Sequence, residues 1–192
     1  MNVLLLGPQG SGKGTQAKLI SKTYGIPQVA TGDMARELRE LDTPLGREVK
    51  EVYDRGDLLP DELIVRMIRD RLSRGDTIPG FILDGFPRNL AQAEALDLML
   101  GGIGRGLDAI LYFDVPDDVA LERMRNRAQE ENRPDDNPEA MRTRLAIYHS
   151  DTVPVVEHYR ATGKLVPLHA GRGVAEVSDE IQKALDLLDD AA

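Results

Sequence analysis

No stretch of the chain limits what it can fold into more than Gly7-Pro8-Gln9-Gly10-Ser11-Gly12-Lys13-Gly14-Thr15. An apolar run, Val3-Leu4-Leu5-Leu6, precedes it and predicts a short buried strand. Gln16-Ala17-Lys18-Leu19-Ile20 follows and is rich in helix formers. Strand, glycine-rich turn, Gly-Lys and helix in that order make a cradle for phosphate. The glycines free the backbone so that successive N–H groups point inward at an anion. The helix adds the positive end of its dipole, and Lys13 adds a full charge for the β- and γ-phosphates.

At 192 residues the chain can build one generous α/β core. A net charge of −9 argues against a nucleic-acid surface, so any polyanion must be held by a local basic cluster. The absence of cysteine removes disulfides and thiolate metal sites. Apolar runs stay well below membrane-spanning length, and the first residues enter a strand at once, leaving no room for a signal peptide. The expected compartment is the cytoplasm.

Further strands are expected at 26–30, 81–83, 110–113 and 165–168. Between them fall helices near 33–41 and 44–54, one N-capped by Asp61, another over 90–100, and one capped by Asp117. A single long helix is expected from Pro138 to Tyr159, and a closing helix carries Val174, Val177, Ile181, Leu185 and Leu188. Alternating strands and helices predict an α/β fold with a five-stranded parallel sheet and helices on both faces. Ligands sit at the C-terminal edge of such a sheet.

The chemistry concentrates in two further stretches. In Phe81-Ile82-Leu83-Asp84-Gly85-Phe86-Pro87-Arg88, a buried strand ends in a carboxylate. Beside a phosphate loop, Asp84 is placed to hold magnesium, directly or through water. Arg88 can aim a planar fork at the same phosphates. Gln92, four residues on, carries an amide that suits the edge of a base such as adenine. In the second half, Arg123 and Arg127 share one helix face, Arg133 sits in a polar stretch, and Arg144 lies on the long helix. Arg125 and Arg142 read as solvated side chains. His149, His158 and His169 fall outside every motif and read as structural.

The residue after Lys13 is Gly14, where most phosphate loops carry Ser or Thr, and the hydroxyl comes one place later at Thr15. With Thr31-Gly32-Asp33-Met34 and Asp84-Gly85-Phe86-Pro87-Arg88, this loop closely resembles adenylate kinase, within the nucleoside monophosphate kinases. The resemblance implies a single three-layer P-loop kinase domain over 1–192, with an AMP-binding arm at about 30–59 and a short lid loop at about 126–136. It implies reversible, magnesium-dependent transfer, ATP + AMP = 2 ADP, in line and without a general base. Magnesium arriving with ATP is the implied cofactor, held by Asp84 through water. The long, zinc-pinned lid of many bacterial forms is not expected: about ten residues separate Arg127 from Pro138, and cysteine is absent.

By the same resemblance, Gly10, Ser11, Gly12, Lys13, Gly14 and Thr15 bind ATP together with Arg127 and Arg172. The AMP pocket would take Thr31 and Arg36, the backbone of Asp57, Leu58 and Leu59, and Gly85, Phe86, Pro87, Arg88 and Gln92. Arg133 and Arg144 would touch both phosphate groups, and Lys13, Arg88, Arg123, Arg127, Arg133 and Arg144 form the catalytic cage, with Arg123 and Arg127 on the ATP phosphates. Gly32 and Gly56 are the hinge candidates. Thr31 and Gln92 favour adenine over the related uridylate–cytidylate kinases, which remain the nearest alternative. A P-loop ATP-binding module or switch is the alternative from another class, although the guanine-reading Asn-Lys-x-Asp of a GTP switch is absent. Nucleotides are the expected partners, without nucleic acid or membrane, and the charged helices point to a monomer.

Overall fold

The computed structural model describes residues 1–55, 57–130 and 137–189, with the side chains of Tyr53 and Asp189 left aside. Five parallel strands form one sheet in the order β2-β3-β1-β4-β5. They are β1 (Asn2–Leu6), β2 (Gln28–Ala30), β3 (Phe81–Asp84), β4 (Ala109–Asp114) and β5 (Leu165–His169). In register, Leu4 faces Leu83 on one side and Ile110 on the other, which makes β1 the centre. Central parallel strands are covered on both faces, so all five β1 residues are apolar or buried, and alternate residues feed opposite cores. Leu4 and Leu6 join Ile64, Ile68, Leu96, Leu100 and Tyr159 on one face. Val3 and Leu5 join Ala17, Ile20, Val177, Ile181 and Leu185 on the other. Pro167 is tolerated because β5 is an edge strand.

The helices are α1 (Lys13–Tyr24), α2 (Thr31–Arg39), α3 (Pro44–Arg55), α4 (Asp61–Leu72), α5 (Leu90–Gly102), α6 (Asp117–Glu130), α7 (Pro138–Ile147), α8 (Val153–Arg160) and α9 (Val174–Asp189). Helices α4, α5 and α8 cover one face, while α1 and α9 cover the other. The connection from β3 to β4 carries the chain across β1, so the strands flanking β1 are reached in opposite directions. That reversal opens a crevice at the C-terminal end of β1, where the phosphate loop sits.

Three expectations are corrected. The long helix is broken: a π-helical turn, Tyr148–Thr152, separates α7 from α8. Pro154 lies in the first turn of α8 and has no N–H to continue the ladder behind it. Asp61 is the first residue of α4 and not its N-cap, which is Pro60. Its carboxylate is engaged across the chain by Asn89 and Gln92. Asp117 likewise opens α6, and both of its oxygens meet His149 Nε2. Side-chain N-caps are instead supplied by Asn89, which accepts from the Gln92 N–H at the start of α5, and by Asn137, which accepts from the backbone of Glu139 and Ala140 at the start of α7.

Candidate functional site

The phosphate loop joins β1 to α1 above the sheet edge. Gly10 adopts φ +79°, and a Cβ there would lie 2.3 Å from the Ala120 carbonyl oxygen. Only glycine lets the loop run this close to α6. The N-cap of α1 is Gly12, which offers no side-chain acceptor. The first N–H groups of the helix therefore remain available to an anion.

Lys13 folds back over the loop. Its Nζ donates to the carbonyls of Gly7 and Pro8, each at 2.7 Å, and to Ser11 Oγ at 3.3 Å. Burial lowers its pKa to about 8; Asp84 opposes the shift, and Arg88 and Arg127 add to it. A cation held this reluctantly gains from an incoming polyanion.

Asp84 ends β3 beside this ammonium. Its Oδ2 accepts from Gln28 Nε2 at 3.1 Å. A Cβ on Gly14 would stand 3.6 Å from the same oxygen, an ordinary van der Waals contact, so space alone does not require glycine there. No cluster of three or more His, Cys, Asp or Glu among the described residues could cage a metal. A lone carboxylate suits Mg²⁺, which keeps several waters and takes its other ligands from phosphate.

Around loop and carboxylate lies a cleft of about 620 Å³. Arg36, Arg88, Arg123, Arg127, Arg144 and Arg172 all line it, as do Asp84 and residues 7–16. An acidic chain has thus gathered six of its arginines onto one crevice. Arg144 is only 7% exposed, and its Nη1 donates to Gln9 Oε1 at 3.3 Å. Arg88 donates through Nε to the Gly85 carbonyl at 2.7 Å. Arg36 pairs with Asp33.

Two arginines face the far end of the cleft. Arg123 donates to the carbonyls of Ala170, Gly171 and Arg172, which bind its guanidinium to the turn between β5 and α9. Arg172 is exposed, donates to the His169 carbonyl and pairs with Glu180. Arg125 and Arg142 are exposed. Arg133 and Gly56 lie outside the described residues.

Beside the main cleft is a smaller recess of about 30 Å³. It is lined by Thr31, residues 57–59, Gly85, Arg88 and Gln92, which are the residues expected to receive AMP. Phe86 is buried in the core, and Pro87 lines the main cleft. Thr31 Oγ1 donates to the Gly85 carbonyl at 2.9 Å. Gly85 has φ +83°, and a Cβ would stand 2.6 Å from that hydroxyl.

Gln92 is buried, and its amide orientation is fixed chemically. Oε1 accepts the Arg88 N–H at 2.8 Å, and Nε2 donates to Asp61 Oδ1 at 2.7 Å. A flipped amide would set donor against donor at one end and acceptor against acceptor at the other. One hydrogen and one lone pair remain for a ligand.

Four residues were missed in the sequence reading. Gln28 has no periodic or motif signature, and Gln9 lies inside the phosphate loop at a position that the Gly-x-x-x-x-Gly-Lys spacing leaves open. Asp61 carries only the signature of a helix cap. Thr152, in the π turn, donates to the Arg88 carbonyl at 2.7 Å and so fixes the backbone that carries the guanidinium. A π insertion at a functional site is a recurrent device, and the only hint in the sequence was Pro154 inside a helical pattern. The three histidines line neither recess. His149 meets Asp117 and His158 meets Asp97, both at the surface.

Comparison with known proteins agrees with this geometry. Residues 5–164 match the family model described as adenylate kinase. The adenylate kinase of Xanthomonas euvesicatoria pv. vesicatoria (strain 85-10) is 47% identical over 185 residues, covering 96% of this chain and 99% of the relative. Those of Xanthomonas campestris pv. campestris (strain 8004) and Xylella fastidiosa (strain 9a5c) are each 46% identical over the same shares. Among the described residues, no helix is long and apolar enough to cross a membrane.

Proposed function

The chain belongs to the adenylate kinase family, and from that premise we propose how its cleft carries phosphoryl transfer between ATP and AMP to give two ADP. It is a nucleoside monophosphate kinase, and ATP, AMP and ADP are its nucleotides. The observation that carries the residue assignment is convergence: the amides of the loop, Lys13, Arg88, Arg127 and Arg144 open onto one cleft that continues into the Thr31–Gln92 recess.

In this reading ATP lays its β- and γ-phosphates on residues 10–15, and Lys13 exchanges its carbonyl contacts for phosphate oxygens. Arg127 faces the same phosphates. Arg123 joins them by giving up carbonyls of the β5–α9 turn, and Arg172 flanks the donor base. AMP enters the recess, with Gln92 reading the adenine edge and Thr31 and residues 57–59 shaping the walls. Arg36 and Arg88 hold its phosphate. Arg144, and Arg133 from the lid loop, span both phosphate groups.

Asp84 would hold Mg²⁺ through water; when bound, the ion neutralises charge across the β- and γ-phosphates. Gln28 keeps the carboxylate oriented. No general base is needed, because a phosphate monoester is largely dianionic near neutral pH, its second pKa being about 6. The protein's task is to align two polyanions that repel one another and to stabilise the charge that shifts between them. The arm, α2 and α3, closes over AMP about the Gly32 region; of the expected lid loop, residues 126–130 are the last turn of α6 and the rest lies outside the described residues. The domain acts alone, as a monomer in the cytoplasm.

Initial rates with Mg-ATP against AMP, UMP, CMP and GMP test this reading. A clear preference for AMP is expected. Equal rates with UMP or CMP would move the chain to the uridylate–cytidylate side, and hydrolysis indifferent to any monophosphate would make it an ATP-binding module.

A further inference from the structure

We propose that Gln9 is a positioning residue for Arg144, setting the guanidinium at the junction of the donor and acceptor sites; this rests on the phosphoryl-transfer reading above. Gln9 belongs to the phosphate loop, yet it lines both the main cleft and the small recess. Arg144 lines both as well. The two meet through Gln9 Oε1 and Arg144 Nη1 at 3.3 Å, although 135 residues separate them in the chain.

The chemistry of the contact explains the residue type. A buried guanidinium has a rigid fork, and its direction is set by the acceptors around it. A carboxylate at position 9 would hold the fork more tightly, but it would cancel the charge that the phosphates require. It would also place an anion beside two others. An amide oxygen orients Arg144 and leaves its charge intact. The Gln9 Nε2 group adds neutral N–H donors at the same junction, and these tolerate phosphate where a carboxylate would not. A residue without a side-chain acceptor would remove this contact, and with it one of the constraints on the direction of the Arg144 fork. Gln9 therefore acts on the alignment of two bound nucleotides, and little on the affinity for either alone.

The test is a mutant cycle on the full chain, with ATP and AMP varied separately. Wild-type turnover is measured first: failure to make ADP from ATP and AMP refutes the reading of the site, independently of Gln9. Given that activity, Gln9→Ala is expected to lower kcat about tenfold, while both KM values stay within about twofold. Gln9→Glu is expected to lose more, about a hundredfold, with a raised AMP KM. In an Arg144→Lys background, where the fork is gone, Gln9→Ala is expected to cost less than about twofold. Thermal melting of each variant separates these losses from unfolding. The proposal is overturned if Gln9→Ala keeps wild-type kcat, if its loss falls on the ATP KM alone, or if the same loss recurs in the Arg144→Lys background.

Discussion

The donor and acceptor halves of the cleft are built differently. On the donor side the cradle is mainly backbone, the loop glycines and the uncapped start of α1, with the Asp84 side chain at the end of β3 beside it. These groups are fixed by a buried sheet and open onto the cleft of about 620 Å³, whose other wall carries Gly32, Asp33, Arg36, Leu58 and Arg88 of the acceptor side. On the acceptor side the polar side chains bond one another. Thr31 holds Gly85, Gln92 spans Arg88 and Asp61, and Arg36 holds Asp33. The recess lined by Thr31, Gly85, Arg88 and Gln92 is only about 30 Å³, far too small for a nucleotide. The arm that covers it carries a solvated skin of ion pairs, such as Arg47–Asp42, Lys50–Asp54 and Arg55–Glu51. A cradle of backbone amides is ready for its ligand, with only Lys13 and Arg123 exchanging carbonyls for phosphate, whereas a site made of paired side chains has to exchange partners and open. The lesson is that donor binding is preorganised and acceptor binding is coupled to motion of the arm.

The largest expected effect is at the residue common to both halves. Arg88→Ala should lower kcat by about 10³-fold or more, as for other arginines that stabilise a transferring phosphoryl group. Its melting temperature should move little, and near-normal turnover would break the cage assignment. Next is Gln92→Ala, which should raise the AMP KM by roughly ten- to a hundredfold through loss of a buried hydrogen-bonding group. The ATP KM should hold, and an equal rise in both would erase the distinction between the halves. Asp61→Ala should act in the same direction but more weakly, since it only loosens the Gln92 amide.

A donor-side signature should appear in the pH profile. Burial leaves Lys13 with a pKa of about 8 in the free protein, so its charge is present below that value and lost above it. The kcat/KM for ATP should therefore fall as pH rises through about 8, by up to tenfold per unit. A profile flat to pH 10 would remove Lys13 from donor recognition. The smallest effect should come from the arm's surface. Lys50→Ala breaks an exposed pair with Asp54, and should cost less than about 1 kcal/mol in chemical denaturation with unchanged kinetics. A large change in AMP KM would show that the arm's ion pairs govern its closure.

Much of this site was legible in the chain because its central parts are local. Strand, loop and helix follow one another without interruption, so Lys13 and its amides could be placed from spacing alone. Asp84 and Arg88 were legible for the same reason, being the end of one apolar run and the turn after it. What spacing cannot carry is contact between distant segments. Nothing near position 9 signals Arg144, and nothing near position 61 signals Gln92, because each pair meets only when the sheet brings their elements together. The helix from Pro138 to Tyr159 had the right period, yet Pro154 broke the ladder into a π turn, and that turn puts Thr152 on the Arg88 backbone.

By itself the sequence determined the order of strands and helices, the phosphate loop, and the gathering of arginines within an acidic chain. These follow from periodicity, glycine spacing and charge, all of which are written along the backbone. The tertiary structure alone decided which amide faces which cation, that Arg123 is bound to the β5–α9 turn, and that the acceptor residues bond one another. Those outcomes depend on the crossover from β3 to β4 around the central strand, which sets segments far apart in the chain within hydrogen-bonding distance.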